Sequence, residues 1–187
     1  MTGYAVHRDA VPVALCTAAR RRLLLELRRS GLNTADLAVW SYGTWWPDLR
    51  GEPEFDAVRD ALEKIVDRSG TTRWCETQLL LRLPDEDGTP LGGPHTDTLP
   101  PWADGWRYRR IYGVELTDTA GDGGGTVLYP SGDPLARPDG SVRPVQCAGD
   151  ALEMSPDLPH SGSPNMSADI RMALFFRLLD RSVGGSQ

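Results

Sequence analysis

The chain of 187 residues has few cysteines and almost no lysine. Its three cysteines, Cys16, Cys75 and Cys147, are widely spaced and form no CxxC or Cys-His pattern, which excludes a zinc finger and a disulfide framework. We therefore expect reduced, mostly buried thiols. Lys64 is the only lysine among 20 basic residues and the net charge is −6, so the basic surface that nucleic acid requires is missing.

Long hydrophobic runs are also absent from the sequence. No segment approaches the roughly 18 consecutive apolar residues of a membrane span, and the N-terminus lacks a charged start followed by an apolar stretch. We therefore expect a cytoplasmic protein without membrane contact. Hydrophobic residues make up 40% and charged residues 25% of the chain, as in ordinary globular domains, and no repeat or linker divides it. The sequence predicts one domain over residues 1–187.

What the chain does contain is two helical patterns followed by many short strand patterns. Apolar residues recur at helical spacing over Ala14–Arg29 and Glu54–Arg68, so residues 1–70 are predicted to be mainly helical. From Arg73 to Leu83 the apolar period becomes two, with Gln78 and Arg82 on the more polar face. The remaining predicted strands are Tyr108–Leu116, Thr126–Tyr129, Ser141–Gln146, Ala151–Met154 and Arg171–Leu178. This order favours a mainly β fold with flanking helices, in which a jelly-roll core over residues 71–180 is buttressed by the N-terminal helices.

Only three histidines are present, and two of them lie in Gly- and Pro-rich turns beside predicted strands. In His95-Thr96-Asp97, alternation at a strand end turns the imidazole and the carboxylate to one face. His160 supplies a distant third donor. Two imidazoles and one carboxylate are the ligand set of a non-haem Fe(II) site with positions left open for substrate and oxygen. The sequence predicts that His95, Asp97 and His160 bind iron and form the catalytic centre.

Arg171 follows His160 by eleven residues and narrows the chemistry. A guanidinium pairs bidentately with a carboxylate. An arginine beside an iron site therefore indicates a co-substrate that carries a carboxylate, which suggests 2-oxoglutarate. The predicted cofactors are Fe(II), 2-oxoglutarate and O2.

Residues 73–179 resemble the Fe(II)/2-oxoglutarate-dependent dioxygenase superfamily. The resemblance rests on the order HxD, a second His and then Arg or Lys, which His95, Asp97, His160 and Arg171 reproduce. The segment RRIYGVELTDTAGDGGGTVLYPSGD resembles the prolyl 4-hydroxylase-like branch. The segment HSGSPNMSADIRMAL is closer to the phytanoyl-CoA dioxygenase-like branch.

The resemblance implies a double-stranded β-helix of the cupin-like type, with the triad holding iron at its mouth and Arg171 binding the distal carboxylate of 2-oxoglutarate. The phytanoyl-CoA-like branch often has a Ser two residues after the second His. Gly162 stands there in this chain, so Ser163 is the candidate for a second carboxylate contact. Gln78 is placed like the side chain that hydrogen-bonds the near carboxylate in relatives. Asp97, where halogenating relatives have a small residue, implies hydroxylation with release of succinate and CO2, while desaturation and cyclisation stay open.

The expected partner is a small-molecule substrate, plausibly an amino acid or a natural-product intermediate, because the short chain leaves little room for insertions. Arg82 and Arg110 lie on predicted strand faces where they could meet a substrate carboxylate. Trp102 could form part of the pocket wall, although core packing explains such a ring equally well. Tyr112 shares the predicted strand face of Arg110 and is a further candidate for substrate contact. The sequence gives no indication of the oligomeric state.

Three other functions fit parts of the pattern. A metal-binding, non-catalytic cupin-like protein could use the same three ligands, but it would leave Arg171 unexplained. A nucleic-acid dealkylating oxygenase would carry a second arginine six residues after the first, and Arg177 fits that spacing, although the acidic chain argues against it. A zinc hydrolase is chemically sound with His95, Asp97 and His160, yet it leaves Arg171 and the Gly-rich strands unexplained.

Overall fold

The computed structural model describes residues 3–29, 44–45, 52–66, 72–85, 91–97, 105–119, 124–131 and 140–181. Two helices lie in the N-terminal part, α1 over Val13–Arg29 and α2 over Pro53–Leu62. The strands are β1 Tyr4–His7, β2 Thr44–Trp45, β3 Arg73–Arg82, β4 Leu91–His95, β5 Trp106–Glu115, β6 Gly125–Leu128, β7 Ala151–Met154, β8 His160–Ser163 and β9 Arg171–Arg181. This confirms the mainly β fold with N-terminal helices. Neither described helix is long and apolar enough to cross a membrane.

The described strands form two antiparallel sheets. The large sheet has the order β1-β7-β5-β9-β3-β2, and the small sheet has the order β4-β8-β6. The longest pairings join β9 to β3 on one side and to β5 on the other. Since β9 lies in the middle of the large sheet, its side chains alternate between the two faces of that sheet.

One face of the large sheet packs against the helices. Each helix turns a stripe of small or apolar residues to the sheet, with Cys16 and Leu23 from α1 and Phe55 and Leu62 from α2. These meet every second residue of the central strands in one buried core, which includes Leu79, Leu81, Val114, Met172, Leu174, Phe176 and Leu178. This layer is almost wholly apolar.

The other face of the large sheet is turned to the small sheet. On the β5 and β7 side, here called the apolar end, Leu128 of the small sheet packs with Ile111, Leu152 and Met154 of the large sheet. On the β9 and β3 side, here called the polar end, the side chains are charged or polar. Arg82, Arg171 and Arg177 are buried there together with Glu115 of β5, and Gln78 is half-buried. A polar end of this kind is where a site between the sheets would lie.

Several element boundaries differ from the sequence prediction. Helix α2 ends at Leu62 and not at Arg68, because the next residues form a turn with hydrogen bonds back to Ala61 and Leu62. Strand β1 was not predicted, and four residues of it pair with β7 at the sheet edge. The segment predicted as a strand over Ser141–Gln146 forms only the single bridge between Val142 and Leu128. The turns that carry His95 and His160 belong to β4 and β8, whose Gly and Pro residues conceal a strand pattern.

Candidate metal centre

The three predicted ligands meet at one end of the small sheet. His95 is the last residue of β4 and His160 the first of β8, and the two are direct partners in the register of these strands. Asp97 follows β4 by two residues. One donor atom from each of the three side chains lies within 4.8 Å of the others. The cluster is therefore compact enough to surround a single ion, as the sequence predicts.

The donor atoms are oriented toward a common point. Oδ1 of Asp97 lies 3.9 Å from Nε2 of His95 and 3.9 Å from Nε2 of His160. The other ring nitrogen of each histidine faces a backbone carbonyl, Gly93 O at 3.3 Å for His95 and Leu158 O at 3.0 Å for His160. When Nδ1 donates to a carbonyl, Nε2 carries the lone pair that binds a metal. The donor set and its orientation thus fit a divalent cation.

The two imidazoles differ in exposure. His160 is buried, and the loss of solvation lowers the pKa of its imidazole below the usual range. The lower pKa keeps the His160 imidazole neutral, so the lone pair on its Nε2 is available to bind a metal. His95 is exposed over 58% of its side chain, so the cluster opens to solvent on the His95 side.

Arg177 of β9 joins the cluster from the large sheet. Its Nε and Nη2 donate to Oδ2 of Asp97 at 3.0 and 2.8 Å, and Nη2 also donates to Oε1 of Gln78 at 2.6 Å. From the sequence, Arg177 is indicated only as the second arginine of a dealkylase spacing. The available signal was its even separation from Arg171, which puts both guanidiniums on the same face of one strand.

Arg171 is buried at the polar end between the sheets, with 2% of its surface exposed. Its Nε donates to Oε2 of Glu115 at 3.1 Å, and its Nη2 donates to Oε1 of the same carboxylate. Nη1 is buried and has no hydrogen-bond partner among the described residues. Burial raises the pKa of the Glu115 carboxyl, and the Arg171 guanidinium opposes that rise. The pairing of Glu115 with Arg171 depends on the register of two strands that are far apart in the chain, so no local sequence pattern indicates Glu115.

Arg82 is the cross-strand partner of Arg171 and lies on the same face of the sheet. It is buried, and its Nη2 would lie 2.5 Å from a Cβ atom added at Gly162. The guanidinium therefore reaches from the large sheet onto the backbone of β8, two residues beyond His160. A larger residue at position 162 would displace Arg82.

The structure does not bring Ser163, Arg110 and Tyr112 to the polar end. Oγ of Ser163 donates to Gly125 O at 3.2 Å, on the face of β8 opposite to His160 and Gly162, so it is turned away from the polar end. Tyr112 is buried in the core below the helices, edge-on to Trp74. Arg110 lies with Tyr112 on the helix-side face of the large sheet and donates to Glu153. Trp102 lies outside the described residues.

No family model and no curated protein sequence matches this chain. Solved structures do match in fold. The nickel complex of the non-haem monooxygenase ThoJ has a TM-score of 0.68 and 20% identity, covering 97% of this chain and 77% of that one. HygX from Streptomyces hygroscopicus, with nickel and 2-oxoglutarate bound, has a TM-score of 0.63 and 17% identity, covering 97% and 83%. SnoN, a non-haem α-ketoglutarate-dependent epimerase from nogalamycin biosynthesis, has a TM-score of 0.58 and 18% identity, covering 96% and 78%.

At these identities the likeness establishes the fold alone. The matches span nearly the whole chain, so the helices and both sheets belong to the shared architecture. The chain therefore has the fold of solved non-haem oxygenases and an epimerase, together with a His-Asp-His cluster that could hold a metal ion.

Proposed function

We propose that this protein is an Fe(II)- and 2-oxoglutarate-dependent oxygenase that hydroxylates a C–H bond of a small molecule. Its two sheets would form the double-stranded β-helix of that superfamily. The observation that carries the proposal is the convergence of His95, Asp97 and His160 within 4.8 Å beside the buried arginines of the large sheet. A facial set of two imidazoles and one carboxylate leaves positions open for a chelating co-substrate and for oxygen.

The polar end between the sheets would receive 2-oxoglutarate. Nη1 of Arg171 is a buried donor for the distal carboxylate, and Arg82 lies beside it. Glu115 accepts from Nε and Nη2 of Arg171 and so fixes the orientation of the guanidinium. Nη1 would then point to the co-substrate in a single orientation. Gln78, whose carbonyl oxygen accepts from Arg177, lies on the same face as these arginines and would contact the near carboxylate.

Bound iron would supply the oxidising chemistry, and the residues of the chain would control where that chemistry acts. The three ligands fix the position of the ion. The apolar end of the same interior, with Ile111, Leu128 and Leu152, keeps bulk water away from one side. The exposed side of His95 marks the direction from which a substrate would approach.

The small-molecule substrate is supported by the fold matches. ThoJ is named a monooxygenase and SnoN an epimerase from nogalamycin biosynthesis, so proteins of this fold carry out more than one reaction. SnoN was solved in complex with nogalamycin RO, which is a small molecule. A natural-product intermediate or an amino acid is the substrate class that we propose. Hydroxylation is the proposed outcome.

The experiment that tests the proposal is anaerobic reconstitution of the apoprotein with Fe(II), followed by addition of 2-oxoglutarate and oxygen. We expect succinate to form in an iron-dependent manner, and Asp97→Ala to abolish it. If the wild-type protein binds Fe(II) but forms no succinate with any of a broad panel of small molecules, the non-catalytic cupin-like function would replace this one. Hydrolytic activity that appears only with zinc would instead favour the zinc hydrolase.

A further inference from the structure

Arg177 links the two sheets directly at the metal cluster. Asp97 follows a strand of the small sheet, whereas Arg177 lies in the middle of the large sheet. Both nitrogens of one guanidinium edge reach the same carboxylate oxygen, Oδ2, at 3.0 and 2.8 Å. Asp97 exposes 13% and Arg177 9% of its side chain, so the ion pair is shielded from solvent. Buried ion pairs of this kind lose little strength to water and salt.

The two oxygens of Asp97 are thereby assigned to different neighbours. Oδ1 lies 3.9 Å from Nε2 of each histidine, whereas Oδ2 is turned to Arg177. We propose that Arg177 is a positioning residue that fixes Asp97 as a ligand through Oδ1 alone. The inference rests on the proposed function, because it assumes that the cluster binds a divalent metal.

Without Arg177, the carboxylate could rotate about its terminal bond, for which the barrier is low and the preferred angles broad. Both oxygens could then bind the ion. A second oxygen from Asp97 would take one of the positions that the co-substrate and oxygen need. By holding Oδ2, Arg177 keeps that position open.

Gln78 restrains Arg177 in turn. Its Oε1 accepts from Nη2 of Arg177 at 2.6 Å, while the ring of Tyr108 lies 5.9 Å from the guanidinium carbon. The Gln78 amide and the Tyr108 ring limit the rotation of the Arg177 guanidinium, so that its Nε and Nη2 edge faces Asp97. The chain Gln78, Arg177, Asp97 therefore runs from β3 through β9 to the metal cluster, and each member orients the next.

A lysine at position 177 separates positioning from charge. Lysine keeps the positive charge near Asp97 but lacks the planar fork that holds one oxygen with two donors. We would titrate Co(II) into the apoprotein without oxygen and follow the visible d–d bands, which report affinity and coordination geometry. Arg177→Lys should weaken Co(II) binding by about 10- to 100-fold, as loss of a residue that orients a metal ligand usually does. The bands should also change in shape and intensity.

The matched control is Arg107→Lys. Arg107 of β5 faces Asp180 of β9, the strand that also carries Arg177, but the Arg107 side chain is 68% exposed and lies away from the cluster. This variant should bind Co(II) as the wild type does. A second readout is the spectral change on adding 2-oxoglutarate to the Co(II) protein, which should be smaller in Arg177→Lys than in Arg107→Lys.

The outcomes distinguish this inference from the proposed function. If wild-type protein binds no Co(II), the metal site itself is wrong and the proposed function fails. If the wild type binds Co(II) and Arg177→Lys gives the same affinity and spectrum, only the positioning role is wrong. Should Arg177→Lys fail to fold, Gln78→Met decides in the Co(II) titration without 2-oxoglutarate, because it removes an acceptor of Arg177 and leaves Arg177 and Asp97 in place. A loss of Co(II) affinity with changed d–d bands supports the inference, and wild-type affinity with wild-type bands overturns it.

Discussion

The two faces of the large sheet are built from the same strands and have opposite characters. On β9, the residues turned to the helices are Met172, Leu174, Phe176 and Leu178, all apolar and buried. Their neighbours turned to the small sheet include Arg171 and Arg177, which are also buried. A shift of one residue along the chain thus changes a packing position into a site position.

This contrast in polarity shows which face of the large sheet stabilises the fold. Burial of apolar side chains under the helices is favourable in itself. Burial of arginines and carboxylates on the inner face costs desolvation, which pairing only partly offsets, so a buried ion pair is weak evidence for stability. Under the proposed function the inner face would serve binding, and substitutions on the two faces should then separate loss of stability from loss of activity.

The largest separation is expected between Asp97→Ala and Leu174→Ala. Asp97→Ala removes a metal ligand and should abolish iron-dependent succinate formation. Leu174 is fully buried on the helix side, and its truncation should lower the free energy of unfolding by about 2–5 kcal/mol while the metal site stays intact. Denaturant unfolding and succinate assays on both variants measure the two effects. Loss of activity in Leu174→Ala at temperatures where it is folded would show that the faces are not separable.

A less complete separation of stability from activity is expected where a buried charge on the inner face loses its partner. Glu115→Ala leaves the buried Arg171 without its carboxylate and should lower the free energy of unfolding by about 3–5 kcal/mol. Glu115→Gln keeps an acceptor for one hydrogen bond and should lose less. As a control, Asp180→Ala breaks the exposed pair with Arg107 and should cost no more than about 1 kcal/mol. Equal stability of Glu115→Ala and Asp180→Ala would mean that Arg171 finds another partner.

A local effect is expected at Gly162, where the two sheets touch through Arg82. A methyl group at this position would lie 2.5 Å from Nη2 of Arg82 and push the guanidinium aside. Because one charge-assisted contact contributes about 1.5–3 kcal/mol, Gly162→Ala should raise the KM for 2-oxoglutarate about tenfold or more, with little change in kcat. In an Arg82→Ala background the same substitution should add almost nothing. An additive effect of the two changes would remove Arg82 from the co-substrate site.

Local patterns in the sequence predicted the helix-facing layer. Apolar periodicity located the helices and most long strands, and alternation assigned Gln78 and Arg82 to the polar face. These assignments need only the period of a regular strand or helix. The HxD turn and His160 were joined by ligand chemistry and motif order, and the structure brings these three side chains together, while their role as iron ligands stays a prediction.

The remaining errors arise where strands depart from regular alternation or pair at a distance. A register shift between Trp74 and Thr77 puts Trp74 into the helix-side core and not on the face of Gln78. A second register shift, between Tyr108 and Arg110, puts these two residues on opposite faces of the sheet. Arg110 and Tyr112 therefore lie on the helix-side face, away from the site. The pairing of Glu115 with Arg171 requires the register of β5 against β9, which no local pattern contains.

The smallest expected effect is a difference in reactivity between the thiols of Cys16 and Cys147. Cys16 is fully buried under the helices, and burial raises the pKa of its thiol from 9.0 to about 11. At pH 8 it should therefore hold about a hundred times less thiolate than an ordinary thiol, in addition to being inaccessible. Cys147 is exposed, contrary to the expectation that the cysteines are mostly buried. Iodoacetamide followed by peptide mapping should label Cys147 within minutes and Cys16 only after unfolding. Prompt labelling of Cys16 in folded protein would mean that the helix-side layer opens far more readily than its packing implies.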